Sequence, residues 1–192
     1  MKRASGSVRG IGAVPLVVVI LVVLTAVFLL VRDRQSGPDG KTATESALPS
    51  AAAPSAPKTA PPFSLPDVNG NLFSSSSLAG KPTVINFFAT WCPPCRNETP
   101  GFVEVYNRHK GKGLEMIGIS LDTDTRGNLA GFLMTHRIEY RILYGDLATA
   151  RAYGGVSSIP TTFFIGKDGE IKNIHVGYID KDAFDAEVRK LL

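Results

Sequence analysis

From residue 63 onward the sequence predicts an α/β fold, a sandwich built on a mixed central sheet. Three observations carry this. Strand-like and helix-like stretches alternate along the chain. The run from Thr83 to Ala89 is apolar on both faces, as suits the central strand of a covered sheet. The end of the chain reads as strand, Lys167-Asp168-Gly169 turn, strand and closing helix, which adds antiparallel pairing to a sheet otherwise built by crossovers.

Before that region lies a different kind of chain. Ile11 to Val31 is 21 residues without a charge, enough to cross a bilayer as a helix at 1.5 Å per residue. Pro15 falls near its first turn, where a missing N–H costs little. Lys2, Arg3 and Arg9 precede the run; Arg32, Asp33 and Arg34 follow it. This flank bias, with the free amino group, favours a cytoplasmic N-terminus and a translocated C-terminal part. A cleaved signal peptide has a shorter apolar core followed by a small-residue site. Here Arg32-Asp33-Arg34 stands where that site belongs, and no cysteine follows to take a lipid. The expected organisation is a cytoplasmic end at 1–10, a transmembrane signal-anchor at 11–31, a flexible linker at 32–60 and a folded domain at 61–192. The linker is rich in Ala, Pro, Ser and Thr and has too little apolar surface to offset ordering entropy. Its prolines stiffen it as a tether.

Within the domain, Phe63 to Phe73 suggests a first hairpin. Thr83–Ala89 follows a Gly-Lys-Pro turn. Pro94 marks a helix start, and helical spacing runs through Phe102, Val105 and Tyr106. Pro100 should kink that helix. Leu114 to Asp122 reads as a second buried strand and Thr125 to His136 as a helix with Leu129, Phe132 and Leu133 on one face. Arg141 to Tyr144 is a short strand, and Asp146 caps a short helix running to Tyr153. Asp180 to Leu192 closes the chain with Phe184, Val188, Leu191 and Leu192 as its apolar stripe.

Charge excludes one class of function. Seven Lys/Arg and three Asp/Glu precede Pro61, and fourteen of each follow it, so the domain is neutral and carries no nucleic-acid footprint. There is no glycine-rich phosphate loop, and no cofactor is expected.

The chain has two cysteines, Cys92 and Cys95, two residues apart in "TWCPPC". Three chemistries compete for such a pair. A zinc site needs four ligands, and His109, His136 and His175 are scattered without metal spacing. A structural disulfide stabilises by closing a loop, and closing two residues constrains the unfolded chain very little. A redox dithiol fits the local physics. Cys92 lies between a strand and a helix, so its sulfur meets the free N–H groups and dipole of a helix start. That is worth about 0.3–2 kcal/mol, which draws the thiol pKa down from about 8.5 towards ambient pH. Cys95, inside the helix, should be the more buried. Pro93 and Pro94 stiffen the backbone between them.

"WCPPC" after a strand, with "SSIPTTFFIGKDG" downstream, resembles the thioredoxin superfamily over roughly residues 61–192. Within it the chain resembles the membrane-anchored, extracytoplasmic TlpA/ResA-like proteins. The anchor and tether are present, two strand–helix units separate Cys95 from Pro160 where a minimal thioredoxin has one, and Glu98 follows Cys95 by three residues. The resemblance therefore implies a thioredoxin-like fold with an inserted strand–helix unit. It makes Cys92 and Cys95 a redox-active disulfide, with Cys92 the attacking nucleophile and Cys95 the resolving thiol. It makes Pro160 a cis-proline facing the pair, and Trp91, Pro93, Pro94, Ile159, Pro160 and Thr161 the surface that meets substrate. Glu98, on the helical face of Cys95 at i+3, becomes a catalytic residue that tunes or deprotonates the pair. Each has a plainer alternative: a strand-start proline, a core tryptophan, a solvated glutamate. One position departs from cytosolic thioredoxins, which carry a buried aspartate six residues before the first cysteine. Here that position is Asn86, which takes no proton and leaves Glu98 as the local candidate base.

The expected function is an extracytoplasmic thiol–disulfide oxidoreductase on a single-pass membrane anchor, in the resemblance a reductant. Its expected partners are a protein disulfide, such as the CxxCH sites of apocytochromes c, and a membrane thiol carrier of the CcdA/DsbD type. The alternative from another class is a copper metallochaperone, or a reductant of a copper-site thiol pair. Metallochaperones of this fold resemble CxxxC with a downstream His, whereas the spacing here is CxxC and His175 sits mid-strand. A peroxiredoxin needs a Pro-x-x-x-Thr-x-x-Cys context that "FFATWC" lacks.

Overall fold

The structure, a computed structural model, describes residue 20, residues 24–29 and residues 57–192. Ile20 and residues 24–29 are helical with exposed side chains. The rest of the expected 11–31 span, and the linker up to residue 56, lie outside the described residues. Among the described residues no helix is long and apolar enough to cross a membrane.

Alternation of polar and apolar residues forms the first hairpin, β1 (Ser64–Pro66) with β2 (Leu72–Ser74). Asp67 accepts the backbone N–H groups of Asn69 and Asn71 at 2.8 and 2.9 Å, and Gly70 takes φ 84° to complete the turn. The central strand β3 (Thr83–Phe88) is buried along its whole length. It leads into α1 (Pro93–His109), which runs through Pro100. Then come β4 (Glu115–Ser120), α2 (Leu129–His136), β5 (Arg141–Tyr144) and α3 (Leu147–Ala152), capped by the Asp146 carboxylate on the Thr149 N–H. The hairpin β6 (Thr161–Ile165) and β7 (Ile171–Val176) precedes α4 (Lys181–Leu191).

The sheet order is β5-β4-β3-β6-β7. β3, β4 and β5 are mutually parallel; β6 and β7 are added antiparallel, as the terminal hairpin requires. Because strand side chains alternate, β3 serves two cores. Val84 and Phe88 face one, with Phe102 and Val105 of α1 and Phe184 and Val188 of α4. Ile85 and Phe87 face the other, with Phe63, Leu65, Tyr153 and Phe163. Phe102 and Phe184 stack at 4.0 Å between centroids and lock α4 onto α1. Asn86 belongs to the α1 side by the same alternation, and this decides the site chemistry.

Three boundaries differ from the sequence expectation. The Ala60 N–H donates to the Gly169 carbonyl at 3.0 Å and the Ile171 N–H to the Lys58 carbonyl at 2.9 Å, so the folded unit begins before Pro61. Backbone pairing to an open hairpin edge needs no apolar side chain, and composition therefore hid it. The second buried strand stops at Ser120 because Asp122 turns inward to collect hydrogen bonds. Arg126–Asn128 form a 3-10 turn ahead of α2, which ends at Arg137 in the left-handed region, φ 52°.

Candidate active site

The chain leaves β3 at Phe88 and re-enters regular structure at Pro93, so Cys92 is the N-cap of α1. Its Sγ accepts the Cys95 N–H at 3.3 Å, and the two cysteines form a disulfide with Cα atoms 5.3 Å apart. Pro93 and Pro94 occupy the first helical positions, where an N–H has no helical partner in any case. Cys92 and Cys95 are 3% and 1% exposed, so Cys95 is the deeper by a narrow margin. The Ile159–Pro160 bond is cis, and the Ile159 carbonyl oxygen lies 3.8 Å from Cys92 Sγ. Thr161 opens β6, its hydroxyl donating to the Ser158 carbonyl at 2.7 Å. Trp91 is 59% exposed, which removes the core-tryptophan alternative. Pro93, Pro94, Pro100 and Tyr178 line an open depression beside the disulfide.

Glu98 is not a surface glutamate: it is 3% exposed. Its Oε1 accepts from Asn86 Nδ2 at 3.1 Å and its Oε2 from the Ile179 N–H at 3.4 Å. Asn86 Nδ2 also donates to the Thr162 hydroxyl at 3.0 Å, tying β3, α1 and β6 together under the disulfide. Burial pushes the Glu98 carboxyl up to about 8, against the pull of its two hydrogen bonds. Burial, and then the neighbouring Glu98, also raise the Tyr140 hydroxyl. A carboxyl that exchanges a proton near pH 8 is suited to general acid–base work. Thr99 donates its hydroxyl to the Cys95 carbonyl at 2.7 Å inside α1. His175 is half-buried on β7, its Nε2 3.0 Å from the Tyr178 carbonyl.

Sequence reasoning missed Asp122. Its carboxylate accepts from the Thr90 N–H at 3.0 Å, the Thr90 hydroxyl at 2.6 Å, the Ser120 hydroxyl at 2.8 Å and the Thr125 hydroxyl. Burial opposes ionisation, but these hydrogen bonds outweigh it and hold Asp122 below its ordinary value. The clamp fixes the loop that delivers Trp91 and Cys92. The only sequence signal was an acid set among Ser and Thr after a strand. A cavity of about 210 Å³ among Phe63, Leu78, Ile85 and Ile165 lies at the other end of the sheet and shares no residue with this site.

A disulfide at a helix N-terminus, faced by a cis-proline on a thioredoxin-like sheet, defines the class of thiol–disulfide oxidoreductases. The chain belongs to the AhpC/TSA family, whose pattern it matches over residues 57–174. It is 30% identical over 134 residues to thiol-disulfide oxidoreductase ResA of Bacillus thuringiensis (strain Al Hakam), covering 70% of this chain and 77% of that one. Against ResA of Bacillus subtilis (strain 168) identity is 31% over 119 residues, covering 62% and 65%. The crystal structure of a thiol:disulfide interchange protein of the thioredoxin family from Chlorobium tepidum TLS superposes with TM-score 0.65 at 37% identity, over 71% of this chain and 97% of that one. The activity class is thus that of a thiol–disulfide oxidoreductase.

Proposed function

We propose that the protein is an extracytoplasmic reductant of specific protein disulfides, held at the membrane by residues 11–31. The observation that carries the disulfide chemistry is the Cys92 sulfur at the start of α1 with the Ile159 carbonyl 3.8 Å away. An extended substrate strand laid on Ile159 and Thr161 presents its own disulfide to Cys92, while Trp91, Pro93 and Pro94 form the apolar rim.

In the reduced protein the Cys92 thiolate attacks one sulfur of the substrate disulfide. A Cys92–substrate bond forms, the substrate S–S bond breaks, and the departing sulfur takes a proton. Cys95 then loses its proton and attacks Cys92 Sγ. The Cys92–Cys95 disulfide forms and the second substrate thiol leaves, so two electrons have passed to the substrate. The Cys95 N–H that bonds Cys92 Sγ supports negative charge on that sulfur. Glu98 accepts the Cys95 proton, and its carboxyl near 8 is matched to a thiol of about 8.5. Apocytochrome c CxxCH sites are the proposed substrate, and a membrane thiol carrier of the CcdA/DsbD type returns the electrons; the named ResA relatives support the class and not these partners.

The test is trapping. Cys95→Ala leaves Cys92 joined to its substrate, and non-reducing gels of cells carrying the variant show a higher-mass species that reductant removes. No such species, with Cys92 intact, ends the proposal. Direction is read from the redox state of the pair in cells: a mostly oxidised pair contradicts a reductant.

A further inference from the structure

One wall of the site has a chemistry that disulfide exchange by itself does not use. A cavity of about 350 Å³ opens between the loop carrying Trp91, the first turns of α1 and one face of α2. Trp91 and Phe132 provide aromatic walls. Arg96 and His136 are its charged and titratable members, and no acidic residue lines it. Arg96 Nη1 donates to the Thr90 carbonyl at 3.4 Å. That bond steadies the guanidinium and leaves most of its five donors free. Among the described residues Arg96 enters no ion pair. Asp122, behind Thr90, cannot serve as its partner without giving up the donors from Thr90, Ser120 and Thr125 that fill its oxygens. The His136 ring lies tilted against Phe132, with centroids 4.4 Å apart. Its pKa is lowered by burial and by the Arg96 charge, which favours the neutral ring and leaves Arg96 the cation facing this acid-free space.

We propose that this pocket binds a carboxylate of the disulfide substrate, an Asp or Glu side chain within a few residues of the cysteine that Cys92 attacks. The inference rests on the reductant reading above and adds to it a substrate feature: an acidic flank. A planar guanidinium held by one hydrogen bond presents parallel N–H groups to a carboxylate, the geometry in which Arg discriminates best. The Trp91 indole lines the same pocket, and Asn128, which makes no cap bond to α2, offers a further amide donor. Because Arg96 also borders the depression lined by Pro93 and Tyr178, a substrate strand crossing the disulfide passes it in either chain direction.

The test uses the reduced full chain and three cyclic CxxC-disulfide peptides that differ at one flanking position, Glu, Gln or Lys. Single-turnover rates are followed by fluorescence. The readout is the ratio of second-order rate constants between peptides, so any change in Cys92 reactivity caused by altering Arg96 cancels. The wild type should reduce the Glu peptide about tenfold faster than the Gln peptide at low salt, and the ratio should shrink as salt screens the pair. Arg96→Gln should bring the ratio to one. Arg96→Glu should reverse it in favour of the Lys peptide, a change no structural role of Arg96 produces. Equal rates for all three peptides with the wild type overturn the inference alone, as does a Glu preference that survives Arg96→Gln. Failure to reduce any of them overturns it together with the reductant reading.

Discussion

Replacing Glu98 by Gln converts a proton-exchanging group into a permanently neutral one of the same shape. The Glu98 carboxyl stands at about 8 in the folded protein against 4.5 for a free one. Between those values the folded protein holds a proton that the unfolded chain has released, so stability falls as pH rises. The slope approaches 1.36 kcal/mol per pH unit, and over the interval it amounts to about 5 kcal/mol. The full stability is present below pH 4.5 and is lost by the time pH passes about 8. Gln pays no such penalty, but it has one acceptor where the carboxylate receives both Asn86 and the Ile179 N–H. That loss costs about 1 kcal/mol at every pH. The variant is therefore the less stable protein in acid and the more stable one above pH 8, by about 4 kcal/mol, with a crossing near pH 5. Urea denaturation of the oxidised protein from pH 4 to 9 measures both curves, and no free thiol is present among the described residues to scramble the disulfide. Subtracting the curves removes every group that titrates alike in the two proteins. A difference that stays flat across that range refutes the account of Glu98.

Three further outcomes are expected. Phe184→Ala, which empties a fully buried ring stacked on Phe102, should lower stability by about 3–5 kcal/mol in urea with an unchanged m-value. Asp180→Ala removes the side chain that accepts the N–H groups of Asp182 and Ala183 and should cost ~1 kcal/mol by the same assay. Asp122 is held below its ordinary 3.8, so the stability it supplies is present above that value and lost as pH falls through its depressed one. Asp122→Asn should flatten that acid limb, and a wild-type curve no steeper than the variant's contradicts the clamp.

The architecture was legible because it is written locally. The all-apolar run at Thr83, the Asp146 cap and the Lys167-Asp168-Gly169 turn each name their own conformation. So did Cys92, whose position before Pro93 and Pro94 implies an N-cap. The contacts that give the site its chemistry are not local. Asn86 read as the place where an acid is missing and Glu98 as the local candidate base, yet the two touch, because one strand face and one helix face meet after the chain turns back. Nothing in the spacing of Thr90 and Asp122 announces a bond across 32 residues. Arg96 reads as an ordinary helical surface residue until α2 is packed opposite it.

The edge pairing at Lys58 and Ala60 has a mechanical consequence. These residues bond to Gly169 and Ile171, beyond the far end of β6 from Pro160. A pull on the chain at Pro57 therefore loads the hairpin turn first, and then the bond from the Phe63 N–H to the Ser75 hydroxyl. The force reaches the cysteine-bearing pole only through the full length of the sheet. Whatever holds the N-terminal side can strain and fray this edge while the geometry between Cys92 and Ile159 stays undisturbed.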